Sequence, residues 1–441
     1  MSSEEEPRTI LEAPMLFSLD EKGLEVSSGE CKATVDKEYL TVYQNFGAVL
    51  AFHLRNIMDV DSRDYSLTLT LSSKEKLRLS ELGHVFEDFL RSLTDMRNEV
   101  IIKDLLMNES VAWPDVEMEY INLDDQGNQR GSGPGKIRLY ETSLIVIPLS
   151  GEVFRLPYSD IAKVSIEEYR ARINTEFGEQ LLVSKMGSEF HPFMKALSDA
   201  NSKLQNIAVA NLKTLLPSIG PVPMRQLAVI MREGRAAKRS DIESIDPMIW
   251  DELEKRVSSS GLGETYDFLK QLARKEKICI GFKRGLMGEL TGDYLWFLMP
   301  IYGANGEPMG NAVAMEASGN EESGKATYFY RIVSRREYRN EKMMEELDSR
   351  MDELIRKINR CMIDINFRRE PIYLREEQLD EPGYSKYKIA VQKIPSLRIL
   401  RDLFIGRVFH TSTEQWKSDV IDLLKFNVKE QDDSAKWRKN S

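Results

Sequence analysis

The chain has 441 residues, of which 41% are hydrophobic and 30% charged, the balance of a globular protein with two to four domains that can each bury a core. A formal net charge of −10 argues against a general nucleic-acid coat, and the cysteines (Cys31, Cys279, Cys361) are odd in number, far apart and never in a C-x-x-C pair, so neither a disulfide framework nor a zinc site is indicated. No apolar run approaches membrane-spanning length and the start, Met1-Ser-Ser-Glu-Glu-Glu-Pro7, is too acidic for a signal peptide, so three reduced thiols in a cytoplasmic protein are expected.

Residues 1–24 read as a flexible N-terminus, with one short ordered stretch around Pro14-Met-Leu-Phe17. Strand signals follow at Cys31–Val35, Tyr39–Tyr43, Gly47–Phe52, Ile57–Val60, Tyr65–Leu71 and Lys76–Leu79, with period-2 alternation clearest in Tyr65–Leu71. The period then changes: Val85, Phe86, Phe89, Leu90 and Leu93 share one face of a helix starting near Leu82, and a second helical piece, Glu99 to Met107, ends this unit.

The same order returns between 116 and 216. Gly47 falls on Gly151, and at that single offset of 104 Leu40 pairs with Leu144, Val42 with Val146, Ile57 with Ile161, Leu77 with Leu181, Phe86 with Phe190, Phe89 with Phe193 and Leu93 with Leu197. One register held across strands, loops and a helix means two similar domains in tandem, since two copies are too few for a solenoid. Val116–Ile121 leads the second copy into a polar loop, Asp124–Lys136, and its helix runs from near Glu189, with a break, toward Leu216.

Several short antiparallel strands followed by one amphipathic helix resemble a pleckstrin-homology-like domain, over 25–108 and again over 116–216. The resemblance implies seven strands in a bent sheet whose open end is plugged by the helix; the alternative is another small antiparallel α+β module. It rests on element order and on the repeat, not on a sequence signature.

After Pro217 the texture changes. Helices are expected at Met224–Glu233, after the N-cap Asp246 with Pro247 in the first turn, and from Gly263; Ile278–Phe282 and Tyr294–Leu298 read as a hairpin. Three helices and a hairpin over 217–302 look like a winged helix, with an ordinary helical module as the alternative. An α+β region over 303–427 follows: strands at Asn311–Ala317 and Ala326–Val333, a long helix from Arg335 to Phe367, amphipathic helices at Arg398–Phe409 and Gln415–Phe426, and a disordered tail, 428–441. In the long helix Met344, Leu347, Met351, Leu354, Ile358, Cys361 and Ile365 are spaced 3-4-3-4-3-4, a heptad seam that requires a partner; packing within the chain is favoured over dimerisation, and a monomer is expected. The fold class is therefore α+β and multidomain.

Chemistry-bearing motifs are sparse. Gly131-Ser-Gly-Pro-Gly-Lys136 fails as a phosphate loop, because Arg130 stands where its first glycine should be and Ile137 where a Ser or Thr should bind metal; a flexible loop is expected. His53, His84, His191 and His410 are never at metal-ligand spacing, and no nucleophile sits with a base in a recognisable motif, so no catalytic residue, metal or cofactor is expected. Anionic lipid is disfavoured, since the turn Asp36-Lys-Glu38 is nearly balanced and Arg130, Lys136 and Arg138 are few. Arg225, Arg232, Arg235, Lys238 and Arg239 are candidates for phosphate or nucleic-acid contact, with a solvated helix face as the plainer reading; a second cluster, Arg331, Arg335, Arg336 and Arg339, starts the long helix.

In module order the chain resembles certain intracellular adaptors, among them an archaeal taxis adaptor and a membrane-sorting subunit that joins such a domain to winged helices, and departs from both after about Asn305. The function expected is a non-enzymatic adaptor that binds protein partners. The alternatives are a DNA-binding regulator using the middle module and a peripheral binder of anionic lipid.

Overall fold

The computed structural model describes residues 10–45, 47–105, 109–149, 151–284, 293–303, 310–318, 326–334, 337–339, 343–381 and 383–428. The tail expected to be disordered, the turn after Ser318, and Arg335 and Arg336 fall outside the described residues, apart from Val428, which is helical. Two compact units divide the chain, Met1–Met107 and Asn108–Ser441.

In the first unit seven antiparallel strands form one curled sheet: β1 (Ile10–Glu21), β2 (Leu24–Val35), β3 (Tyr39–Gln44), β4 (Val49–His53), β5 (Ile57–Arg63), β6 (Ser66–Leu71) and β7 (Lys76–Ser80), ordered β4-β3-β2-β1-β7-β6-β5. α1 (Phe86–Asp104) follows and buries Phe86, Phe89 and Leu93 in the sheet's core. β1 corrects the expectation of a loose leader. It lies mid-sheet, with Met15 and Phe17 in the core and Leu19 packed against it, because alternate apolar residues between two partner strands have a face to bury. α1 is one helix rather than two pieces. Near its end Arg97 is buried and donates to the carbonyls of Ile57 and Met58, each at 2.7 Å.

The second unit opens with the same architecture: β8 (Val111–Leu123), β9 (Gln129–Tyr140), β10 (Ser143–Pro148), β11 (Phe154–Pro157), β12 (Ile161–Glu167), β13 (Arg170–Thr175), β14 (Gln180–Ser184) and α2 (Phe190–Leu215), with strand order β11-β10-β9-β8-β14-β13-β12. From β5 and β12 onward the strand bounds and the helix start keep the offset of 104. Loop hydrogen bonds repeat too: Ser72 N donates to Asn56 O and Glu176 N to Asp160 O, both at 2.8 Å. The copies differ in their first hairpin, closed by Lys22-Gly23 in one and by residues 124–128 in the other. Gly131–Lys136, expected to be a loop, is strand: β9 pairs along β8, with Gly133 opposite Tyr120 and Gly135 opposite Met118. A long partner strand overrides the low strand propensity of Gly and Pro. α2 has 26 residues against 19 in α1 and no break, and its end carries Leu212 into the next core.

That core covers one face of a six-stranded antiparallel sheet. Its elements are α3 (Pro221–Ile230), β15 (Ala237–Lys238), α4 (Arg239–Ile245), α5 (Pro247–Val257), α6 (Gly263–Leu272), β16 (Cys279–Arg284), β17 (Asp293–Tyr302), β18 (Asn311–Ser318), β19 (Ala326–Arg331), α7 (Met343–Asp364), α8 (Glu370–Tyr373), α9 (Glu376–Leu379), α10 (Lys386–Lys393), α11 (Pro395–Leu403), β20 (Phe404–Phe409) and α12 (Thr413–Val428). The strands lie in chain order, β15 to β20. The boundary expected at 302/303 is therefore not a domain boundary, because β17 pairs with β18 from Leu295↔Ser318 to Tyr302↔Asn311. Arg398–Phe409 is likewise not one helix: it turns at Phe404 into β20, which covers the edge of β19. Residues of β17 alternate. Leu295, Phe297, Met299 and Ile301 share a core with helices α3 to α6 and α12; on the other face Tyr294 and Trp296 meet Phe367, and Tyr302 donates to Asp348 of α7.

Two glycines allow close approach where the first helix pair meets this sheet. Gly234 has φ +87°, and its carbonyl accepts from Trp296 Nε1 at 2.8 Å. A Cβ on Gly281 would collide with that indole nitrogen and come within 2.7 Å of the same carbonyl.

Candidate interaction surfaces

Of the five basic candidates, four are held in ion pairs. Arg232 pairs with Glu176; Arg235 reaches Glu176 at 2.7 Å and Asp160 at 2.9 Å; Lys238 reaches Asp352 at 3.3 Å; and Arg239 reaches Glu243 at 2.7 Å and lies over the Trp250 ring. Arg225 alone of the five is exposed. Arg331 of the second cluster donates to Asn427 at 2.8 Å. The partners of Arg232, Arg235 and Lys238 lie far away in sequence, so composition could not reveal them.

Asp160 is the centre of this network. It is the last residue of the short turn Tyr158–Asp160 after β11 and is fully buried. Besides Arg235 it meets Arg360 of α7 at 3.4 Å, and Arg360 also reaches Glu179 at 2.5 Å and covers the Phe177 ring at 4.3 Å. Burial, reinforced by the nearby Asp364 carboxylate, pushes Asp160 up to about 7. The network fastens the loops of the second seven-stranded domain to the start of the helical layer and to α7.

The heptad seam is buried inside the chain. Leu347, Met351, Leu354 and Ile358 are each at most 2% exposed, and α11 packs alongside α7; the side chain of Met344 lies outside the described residues. The apolar stripe thus already has its cover.

A polar cluster missed in the sequence sits between β18, β19 and α12. Glu316 is fully buried; it accepts from the Thr327 hydroxyl and lies 3.1 Å from His410 Nε2, while Trp416 Nε1 donates to Thr327 Oγ1 at 3.1 Å. Both Glu316 and Thr327 meet the same imidazole nitrogen, whereas a proton relay needs a base and its orienting group on opposite nitrogens. Among the described residues no group of three or more His, Cys, Asp or Glu is placed to hold a metal. All three cysteines are buried, which pushes the Cys31 thiol up to about 11 and those of Cys279 and Cys361 up as well.

The two copies also differ on the outer face of the strand pairs β3–β4 and β10–β11. In β10–β11 Leu144 and Val146 point into the domain core, and the alternate residues point out, where Ser143 and Ile145 are 0% exposed and Val153 is 6%. On that side Arg155 donates to the carbonyls of Ile363 (3.4 Å) and Asp364 (3.1 Å) at the end of α7, and Lys393 of α10 pairs with Glu152. In β3–β4 Tyr39, Tyr43 and Val49, the equivalents of Ser143, Ile147 (6% exposed) and Val153, are 40%, 44% and 58% exposed.

No protein-family model matches the chain, and no curated protein matches it. Among solved structures it is similar to the C-terminal domain of an unknown protein from Leishmania infantum, at 12% identity over 24% of this chain and 96% of that one, with a TM-score of 0.19. It is also similar to the Spt16D Pob3N heterodimer, at 13% identity over 38% of this chain and 85% of that one, with a TM-score of 0.18. At these scores neither likeness bears on fold or function. Among the described residues no helix is long and apolar enough to cross a membrane.

Proposed function

We propose that this chain is a non-enzymatic, monomeric adaptor of the cytoplasm that binds protein partners through its two seven-stranded domains, which we read as pleckstrin-like. The observation that supports this most is how the second copy is used: the outer face of β10–β11 receives the end of α7 and α10 of the same chain. A domain that docks protein in cis is a platform suited to docking protein in trans.

A second reading, a DNA-binding regulator, draws on the order α3, β15, helices, β16, β17, in which β15 pairs with β16 as in a winged helix. The pairing of Arg232, Arg235, Lys238 and Arg239 with carboxylates counts against it. Lipid binding has less support still, since Arg130 pairs with Glu179 and Arg138 with Asp115.

The test is affinity capture with the full-length chain from its own cell, followed by reconstitution of the complex from purified components. The adaptor reading expects a stable complex with a defined stoichiometry. Retention on DNA that weakens steeply with salt, or pelleting with anionic vesicles, with no reconstituted protein complex, overturns it.

A further inference from the structure

We infer that a cavity inside the second unit, lined by Glu233, binds a small organic amine, with the ammonium group on that carboxylate and the carbon body against apolar walls. The inference goes beyond the adaptor reading and does not depend on it.

The cavity lies where α2, the turn Arg232–Gly234 after α3, the end of β16 and the end of α7 come together, and its volume is about 140 Å³. Ile207, Leu212, Met231, Phe282 and Phe367 line it with carbon. Glu233 lines it too. It is 6% exposed, and its Oε2 is buried with no hydrogen-bond partner among the described residues. A buried carboxylate oxygen without a donor is costly and calls for one. Glu233 also stands at φ +53°, in the left-handed region that a residue with a Cβ adopts only under constraint and that gathers at ligand sites.

The neighbours of Glu233 are engaged elsewhere. Arg232 and Arg235 hold Glu176 and Asp160. The Tyr158 hydroxyl donates to Tyr140 O at 2.7 Å, and Arg155 reaches Glu109 at 3.7 Å and Asp364 O at 3.1 Å. Glu109, the other buried carboxylate of the lining, accepts from both the Thr142 amide and its hydroxyl.

Charge around the cavity is balanced in number, with Glu109, Glu141 and Glu233 against Lys203, Lys283 and Arg284, but it is sorted by depth. Glu109 and Glu233 are buried, whereas Lys203 and Arg284 are exposed and Lys283 is half-buried; Arg284 also reaches Asp293 at 3.3 Å. With Glu109 already bonded, Glu233 is the deep charge left to a ligand, and it selects a cation. The lysines at the mouth repel a second ammonium, which favours a monoamine over a polyamine. A bare metal ion needs several oxygen ligands, and no group of described residues supplies them. A primary ammonium needs one carboxylate and tolerates carbon around the rest of the molecule. Since a cavity of about 150 Å³ takes benzene, a ligand of roughly six to eight non-hydrogen atoms fits.

Isothermal titration of the full-length chain tests this with benzylamine and isoamylamine, and with benzyl alcohol, isoamyl alcohol and benzoate as matched skeletons without the cation. The proposal expects saturable one-to-one binding of an amine, about tenfold or more tighter than its alcohol, and no binding of benzoate. Glu233→Gln should weaken the amine by about tenfold or more and close its gap with the alcohol. Ala208→Phe, which pushes a ring into the cavity from its α2 wall, should weaken amine and alcohol alike, and Lys255→Gln, exposed on α5, should change neither. Circular dichroism confirms that each variant is folded, and the comparison of amine with alcohol on the wild type stands without the variants. Equal affinity for amine and alcohol overturns the ligand class. Amine binding that survives both Glu233→Gln and Ala208→Phe, as adventitious binding to an acidic surface would, overturns the site. Binding of none of the probes overturns the inference, and each of these failures leaves the adaptor reading standing.

Discussion

Tyr65 stands edge-on to Phe86 with ring centroids 5.5 Å apart, and 104 residues later Tyr169 stands edge-on to Phe190 at 6.0 Å. The phenylalanines are buried at the helix starts, while the tyrosines are largely exposed and lie over them. Phe86→Ala and Phe190→Ala are each expected to cost about 3–5 kcal/mol, as core aromatic truncations do. Tyr65→Ala and Tyr169→Ala should cost about 0.5–1.5 kcal/mol, the edge contact alone. Urea titration of the four variants checks the order, and equal costs within each pair would show that the two separate cores are built alike.

Arg235→Met would leave Asp160 buried with Arg360 as its remaining cation, and about 1–3 kcal/mol of destabilisation is expected from the lost charged hydrogen bonds. Asp160→Asn/Arg235→Met should recover a large part of it. A double-mutant cycle by chemical denaturation measures the coupling; additive losses would mean that the pair is not a unit.

The same carboxyl gives a pH dependence of unusual sign. Asp160 is pushed up to about 7 in the fold by burial and by Asp364, whereas an unfolded aspartate titrates near about 3.9. Between those values the folded state binds more protons than the unfolded one, so this group's contribution is fully present below the unfolded value and is lost as pH rises through the folded one. The unfolding midpoint of wild type relative to Asp160→Asn should therefore be higher at pH 5.5 than at pH 7.5. A difference that stays flat, or grows with pH, contradicts the assignment.

Leu354→Ala should destabilise the second unit by about 2–5 kcal/mol, and Met351→Asp more, because both side chains are enclosed within the chain. Light scattering should give the same mass for wild type and variants. A wild-type dimer turned into a folded monomer by Met351→Asp would place the seam between chains.

Gly281→Ala is expected to cost about 1–3 kcal/mol through overpacking, since the added methyl displaces the Trp296 ring and breaks its bond to Gly234 O. A shift in Trp296 fluorescence should accompany the loss of stability, and an unchanged spectrum would show that the ring has not moved.

The repeat was legible because its apolar positions recur at a fixed spacing, so Phe86 and Phe190 identified each other without any structure. Only an ordered stretch around Pro14–Phe17 was legible of β1, although Met15, Phe17 and Leu19 alternate, because Pro14 and the acidic residues around them resemble a leader. β20 was missed because Phe404, Ile405, Val408 and Phe409 satisfy a helical stripe as well as a buried strand, and only the open edge of β19 decides between them. The roles of the arginines were beyond the sequence: Glu176 meets Arg232 and Arg235 only after α2 has carried the chain back across the second domain. The contrast between Ile145 and Thr41 was visible as a difference in residue type, but its meaning depends on what covers one face and not the other.

The last strand of the large sheet has a consequence for how the protein is made. All of α7 to α11 separates β19 from β20, so during synthesis the outer edge of β19 stays unpaired until Phe409 has been added. Meanwhile the first seven-stranded unit, complete within its own hundred or so residues, can already be folded. An open edge is a template for pairing with the wrong chain. A ribosome stalled between α7 and β20, or a premature stop codon there, would release a product with both seven-stranded sheets complete and the large sheet left with a sticky edge, a substrate for chaperones and proteases rather than a shorter working protein.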